Sequence, residues 1–279
     1  TLTSREAGWL PSTPIGSGMD YAESRVYQQG DDPRYIDWRL SARSHETFVK
    51  TYHIESRPSL CIVLDKRSSM VFGTRSRLKI TQALRCAVLL AYAAEFHQID
   101  FNVLILEDDV KWFDHLNTAS FLLHANTACE ADKQSEKRSE PSLKSALNEI
   151  KLHLPKGSLV YVISDFLDLV SGLTKDTQNE LAHLQEQYVV QAIHIMDSAE
   201  IELPNVGKIR LQGMNTNQHF SLNTKNEKEI KSFITYARQH SDNIKNAIAD
   251  IGISYSRIFT HHDDIHKQIS LPLSKRFKA

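Results

Sequence analysis

From Leu60 onward the chain alternates short, continuous apolar runs with longer stretches whose apolar residues recur every three or four positions. Leu60–Asp65 (LCIVLD) stays apolar until it ends on a carboxylate, the pattern of a strand buried on both faces. Phe101–Leu106 (FNVLIL), residues 159–165 (LVYVISD), Val189–Met196 and residues 253–259 read as further strands. Residues 110–113 are expected to pair back onto Phe101–Leu106 across the acidic turn 107–109. Between the strands, 77–97 reads as a helix because Leu84, Ala87, Val88, Ala91 and Ala94 fall on one face. Further helices are expected at 119–125, 142–152, 177–186, 227–251 and 264–277, and a short hairpin at Lys208–Gln212 and His219–Asn223. The polar stretch 129–139 reads as a solvated loop. Strands separated by helices imply right-handed crossovers. The expectation for 58–279 is therefore an α/β domain with a mostly parallel sheet covered on both faces.

The first 57 residues show no helical period. Their dense part, 25–50, reads as a loop or small β appendage leading into a strand around 47–53. Composition narrows the function classes. Ten glycines in 279 residues is about half the usual frequency of roughly 7%. Neither G-x-x-x-x-G-K-[ST] nor G-x-G-x-x-G occurs, which speaks against a phosphate-cradling loop. The balance of 33 Lys+Arg against 34 Asp+Glu argues against a dedicated nucleic-acid binder. Cys61, Cys86 and Cys129 form no C-x-x-C and read as reduced thiols. The longest apolar run, 86–94, is far short of the ~20 residues of a membrane span. A cytoplasmic protein is expected.

In an open parallel sheet, ligands bind outside the carboxyl ends of the strands. Asp65 and Asp165 both stand at that edge, and Asp65 is followed by Lys66, Arg67, Ser68 and Ser69. Two carboxylates with nearby hydroxyls suit an octahedral Mg²⁺ that keeps some of its waters. Strand-end aspartates also serve as helix caps and turn formers. Residues 65–69, the strand–helix alternation and the pair Ser164 and Asp165 resemble a von Willebrand factor A-type domain with its metal-ion-dependent adhesion site. The resemblance implies a Rossmann-type three-layer fold. It also implies a metal site built from D-x-S-x-S, a threonine on a second loop and an aspartate on a third. Asp65 and Ser69 match the outer positions of the first motif, Asp165 matches the third, and Ser142 is the candidate for the threonine. Arg67 stands where the middle serine belongs. Turned inward, its guanidinium would pair with Asp65 or Asp165 and take the cation's place. Turned to solvent, it would leave a weakened Mg²⁺ site, with Ser68 or water filling in. Arg67 and Ser68 are the expected partner-binding residues.

The appendage carries Arg25-x-Tyr27-x-x-Gly30-Asp31-Asp32-x-Arg34-x-Ile36-Asp37-Trp38-x-x-Ser41-Ala42-Arg43, followed by Lys50 and Glu55. Arg25, Arg34, Arg39 and Arg43 are matched by Asp31, Asp32, Asp37 and Glu55, so a buried or half-buried ion-pair network is expected. Trp38 and Tyr27 would anchor it, and Gly30 suits a tight turn. The interleaved signs argue against a nucleic-acid stripe. This motif, with Ser69-Met70-Val71-Phe72-Gly73 and residues 252–264, resembles the domain-of-unknown-function family number fifty-eight. Such bacterial proteins commonly accompany MoxR-type AAA+ ATPases. The resemblance therefore implies a non-catalytic adaptor that works with such an ATPase in the assembly or maturation of other proteins. Two alternatives stay open. One is a metal-dependent hydrolase using Asp65, Asp165 and His262, which lacks an evident water-activating base. The other is a structural interaction protein whose metal site is dead. His261-His262-Asp263-Asp264 reads as a helix start capped by Asp263 rather than as a metal cluster.

Overall fold

The computed structural model describes residues 19–29, 31–54, 59–130, 140–170, 174–212 and 219–269. The chain divides after Arg57 into two compact units. In the first, β1 (Met19–Val26) leads through a single 3-10 turn at Pro33–Tyr35 and the one-turn helix α1 (Trp38–Ser41) into β2 (Phe48–Ile54). β1 and β2 pair antiparallel, from Met19 opposite Ile54 to Val26 opposite Phe48. Both short turns start on an aspartate. Asp32 accepts the Arg34 N–H, and Asp37 accepts those of Arg39 and Leu40, satisfying donors that have no partner inside a helix. Gly30 and Glu55 lie outside the described residues.

The second unit runs β3 (Leu60–Asp65), α2 (Lys79–Phe96), β4 (Phe101–Leu106), β5 (Val110–Leu116) and α3 (Thr118–Glu130). It continues through α4 (Leu143–His153), β6 (Leu159–Ser164), α5 (Thr174–Gln187) and β7 (Val189–Met196). The hairpin β8 (Lys208–Gln212) and β9 (His219–Asn223), then α6 (Glu227–Ala249) and β10 (Ser254–Phe259), complete the named elements. The main sheet has the order β10-β7-β6-β3-β4-β5. All neighbours are parallel except β4 and β5, which pair antiparallel as expected from the acidic turn between them. Counted within this sheet, the order is the doubly wound 3-2-1-4-5-6 pattern, whose direction of winding switches between β3 and β6. That switch opens a crevice at their carboxyl ends, where Asp65 and Asp165 stand.

The central strands are apolar throughout because each face meets its own layer of helices. Leu60, Ile62 and Leu64 pack with Phe101, Val103, Ile105 and α2 on one side, while Cys61 and Val63 pack with Leu104, Val160, Val162 and α4 on the other. Each such side chain contributes roughly 1.5–3 kcal/mol by leaving water. Among the described residues, no helix is long and apolar enough to cross a membrane.

The expected helix 264–277 is not found over the residues described there. Ile265–Lys267 forms a single 3-10 turn, and Asp264, at its N-cap, makes no side-chain cap bond. Asp263, the expected cap, gives its carboxylate to Arg77 at 2.6 Å instead. Residues 129 and 130, expected in a loop, belong to α3, which extends to Glu130. Residues 131–139 lie outside the described set.

Candidate functional site at the carboxyl edge of the sheet

β3 ends on Asp65, which is fully buried. The chain then turns so that Arg67 folds back on it. Arg67 Nε donates to Asp65 Oδ1 at 3.0 Å and Nη2 to Oδ2 at 2.7 Å, a two-pronged pair. The Arg67 backbone N–H reaches the same Oδ1 at 3.1 Å. Nη1 extends to Asp168 Oδ2 at 2.7 Å and to the Pro141 carbonyl at 3.4 Å. Asp168 in turn accepts the backbone N–H of Leu143, the first residue of α4, at 2.9 Å. Ser164 Oγ, at the end of β6, donates to Asp65 Oδ2 at 2.6 Å. One guanidinium therefore ties together the loop after β3, the loop before α4 and the turn after β6.

A second cation serves the other aspartate. Lys79, the first residue of α2, is 1% exposed. Its Nζ donates to Asp165 Oδ2 at 3.0 Å and to Glu200 Oε1 at 2.8 Å. Ser69 also hydrogen-bonds Asp165. Burial works against a charged Asp165, but Lys79 and Ser69 outweigh it and hold the carboxyl below the usual carboxylate range. Asp65 moves the other way, because complete burial pushes its carboxyl up against the pull of Arg67 and Ser164.

Sequence reasoning pairs Asp65 with Asp165 at this edge, and the structure brings both there with Ser69 and Arg67. It does not arrange them as metal ligands. Mg²⁺ requires oxygen lone pairs at about 2.0–2.1 Å in near-octahedral array. Here the lone pairs of both carboxylates already accept N–H and O–H donors from Arg67, Lys79, Ser164 and Ser69. Among the described residues, no group of three or more His, Cys, Asp or Glu is placed to hold a metal ion. The residues as arranged do not fit Mg²⁺. Ser142, the expected threonine equivalent, instead starts α4, its Oγ accepting from the Ser145 N–H.

Arg67, expected to contact a partner, is turned inward. It is 7% exposed and committed to two carboxylates. Ser68 is half-buried, with its backbone N–H on Glu140 Oε1 at 2.8 Å. Lys79, Asp168 and Glu200 escape sequence reasoning. A lysine opening a helix reads as solvent-facing, and only the fold turns it under the sheet edge. Glu200 alone had a local signal, the spacing Asp197-x-x-Glu200 of a capping box, which the structure forms.

The appendage motif is built differently from its expectation. Arg25 forks onto Asp31 at 2.8 and 2.6 Å, and Arg34 onto Asp32 at 2.6 Å. These are separate local pairs between an exposed arginine and a half-buried aspartate, rather than one network. Exposed pairs of this kind add little stability. Trp38, expected as an anchor, is 70% exposed. Tyr27 is half-buried and donates its backbone N–H to the Thr47 carbonyl at 2.8 Å. Arg43 is exposed.

Comparison with known proteins identifies a family. The sequence profile of the family described as "Protein of unknown function DUF58" matches residues 23–243. Uncharacterized proteins of Mycobacterium bovis and Mycobacterium tuberculosis are 25% identical over 198 residues, covering 71% of this chain. The chain spans 61% of the length of these curated relatives. Among solved structures, the conserved hypothetical protein BatB from Bacteroides thetaiotaomicron aligns at 12% identity and TM-score 0.44, covering 80% of this chain and all of that one. The SpRpn10 VWA domain aligns at 13% identity and TM-score 0.38, covering 78% and 93%.

Proposed function

The chain belongs to the DUF58 family, and on that premise we propose that it is a non-catalytic protein-interaction module. Its partner in this reading is a MoxR-type AAA+ ATPase, with which it acts in the assembly or maturation of other proteins. The recognition surface is the carboxyl edge of the sheet, a degenerate adhesion site in which Arg67 replaces the metal ion. The observation that carries this reading is the Arg67 bridge from Asp65 to Asp168, which ties three edge loops with a fixed cation. A bridge of that kind organises a surface without a metal and without a reactive group. The β3–α2 connection it braces presents Val71, 54% exposed, and Leu78, 39% exposed, as apolar contact points.

The test is binding of the purified chain to a MoxR-type ATPase from the same organism, loaded with Mg²⁺ and a slowly hydrolysed ATP analogue. Wild type is expected to bind, and Val71→Asp and Leu78→Asp each to lose affinity tenfold or more. Absence of binding by wild type, or full binding by both variants, overturns the proposal.

A further inference from the structure

Next to the ion-paired edge, and sharing Asp165 and Glu200 with it, the second unit forms a cavity of about 470 Å³. It lies between α6 and the carboxyl ends of β6 and β7, and its size falls within the roughly 300–1,000 Å³ of small-molecule sites. Most of its lining is apolar, with Met196 from β7, Ile209 from β8, and Phe233 and Ile244 from α6. Asp165, Glu200, His194 and His240 supply its main polar groups.

The carboxylates give the cavity a definite charge, and the two imidazoles have unmet bonding capacity. The two carboxylates share one counter-ion, Lys79 Nζ, so that wall carries one net negative charge. His194 is 3% exposed, and its Nδ1 meets the Tyr255 hydroxyl at 2.7 Å. Its Nε2 has no hydrogen-bond partner among the described residues. The single fully enclosed side-chain N or O atom without a partner among those residues is Thr177 Oγ1. The His194 Nε2 is therefore not sealed in packed protein, and the ring lines the cavity. His240 also lines the cavity, and among the described residues no hydrogen bond holds its ring. Burial holds both imidazoles below the ordinary histidine value and so neutral near pH 7. An anionic head would meet a negative wall with no free cation. A purely apolar ligand would strip water from both rings and replace none of their bonds, which is costly for buried polar groups.

We propose that this cavity binds a small amphipathic amine, with its apolar body against α6 and β7 and its ammonium head between Glu200 and the His194 ring. The cavity borders the proposed partner surface, sharing Asp165, Phe72 and Thr74 with it, but its ligand is argued from its own lining and does not rest on that reading.

Titration calorimetry with n-octylamine, n-octanol and octanoate, each below its aggregation concentration at pH 7, tests the proposal. Octylamine is expected to bind at least tenfold tighter than either of the others. Glu200→Gln is expected to cut octylamine affinity three- to tenfold and leave octanol unchanged. Ala237→Phe obstructs the cavity from α6 and is expected to abolish octylamine binding; His240→Trp, from a half-buried position, does so without loading the packed core. Octanol or octanoate binding as tightly as octylamine overturns the assignment, and so does absence of octylamine binding to wild type. Retained octylamine binding in a folded filled variant places the ligand elsewhere and also overturns it.

Discussion

At the scale of single residues, the edge is organised by how buried charges are neutralised. Asp65 is fully buried and Arg67 is its fixed cation. Removing one partner of such a pair leaves an uncompensated charge, at a cost of about 3–5 kcal/mol. Arg67→Ala is therefore expected to lower the unfolding free energy by that amount in urea titration. Arg67→Lys keeps the charge but not the two-pronged fork, and is expected to recover less than half. A loss below 1 kcal/mol for Arg67→Ala would show that the bridge contributes little.

His194 sets a second expectation. Burial lowers its pKa to about 3 from the ordinary 6.5. The unfolded chain takes up this proton below pH 6.5 and the folded chain holds off until about 3, so acid favours unfolding within that window. The contribution is fully present above pH 6.5 and falls by up to about 1.4 kcal/mol for each pH unit below it. Substituting His194→Gln is expected to flatten the stability curve between pH 6 and 4.5 relative to wild type. Parallel curves would contradict this account of the buried ring.

At the scale of elements, local geometry explains residues that pattern alone left as motif. Gly73 closes the Ser69–Gly73 segment, and a Cβ there would lie 2.3 Å from the Arg77 carbonyl oxygen and 2.8 Å from Leu78 Cα. Both obstacles are backbone and cannot swing away. Gly73→Ala is expected to cost about 1–3 kcal/mol, an overpacking penalty, read as a lower urea midpoint with an unchanged slope. Ser142 behaves as a helix start, so Ser142→Ala is expected to cost about 1 kcal/mol of stability. That loss should be the same with and without Mg²⁺. The strands were legible because burial on both faces makes them continuous apolar runs, as in β3, β4 and β6. The helix expected at 264–277 was not found over its described part, because its start lacks a cap: Asp263 is drawn away to Arg77, a partner 186 positions distant. No local pattern reports such a partner.

At the scale of the whole molecule, the division after Arg57 separates a capped-turn β unit from the doubly wound sheet. The place of the candidate site was legible, since a strand ending in aspartate on each side of the winding switch marks the crevice. Its chemistry was only half legible. Arg67 in the motif announced a choice between inward and outward, but Asp168 and Lys79, which complete the two ion pairs, carry no sign in the sequence that they are buried. The cavity under α6 was not legible at all, because its lining comes from segments as far apart as Phe72 and Ile244.

The central claim is that Arg67 stands in for a metal ion at this edge. Calorimetric titration of Mg²⁺ and Mn²⁺ into the wild-type chain tests it most directly, with Asp65→Ala as the reference. The account predicts no saturable heat up to millimolar metal. Stoichiometric binding by wild type that disappears in Asp65→Ala would contradict it.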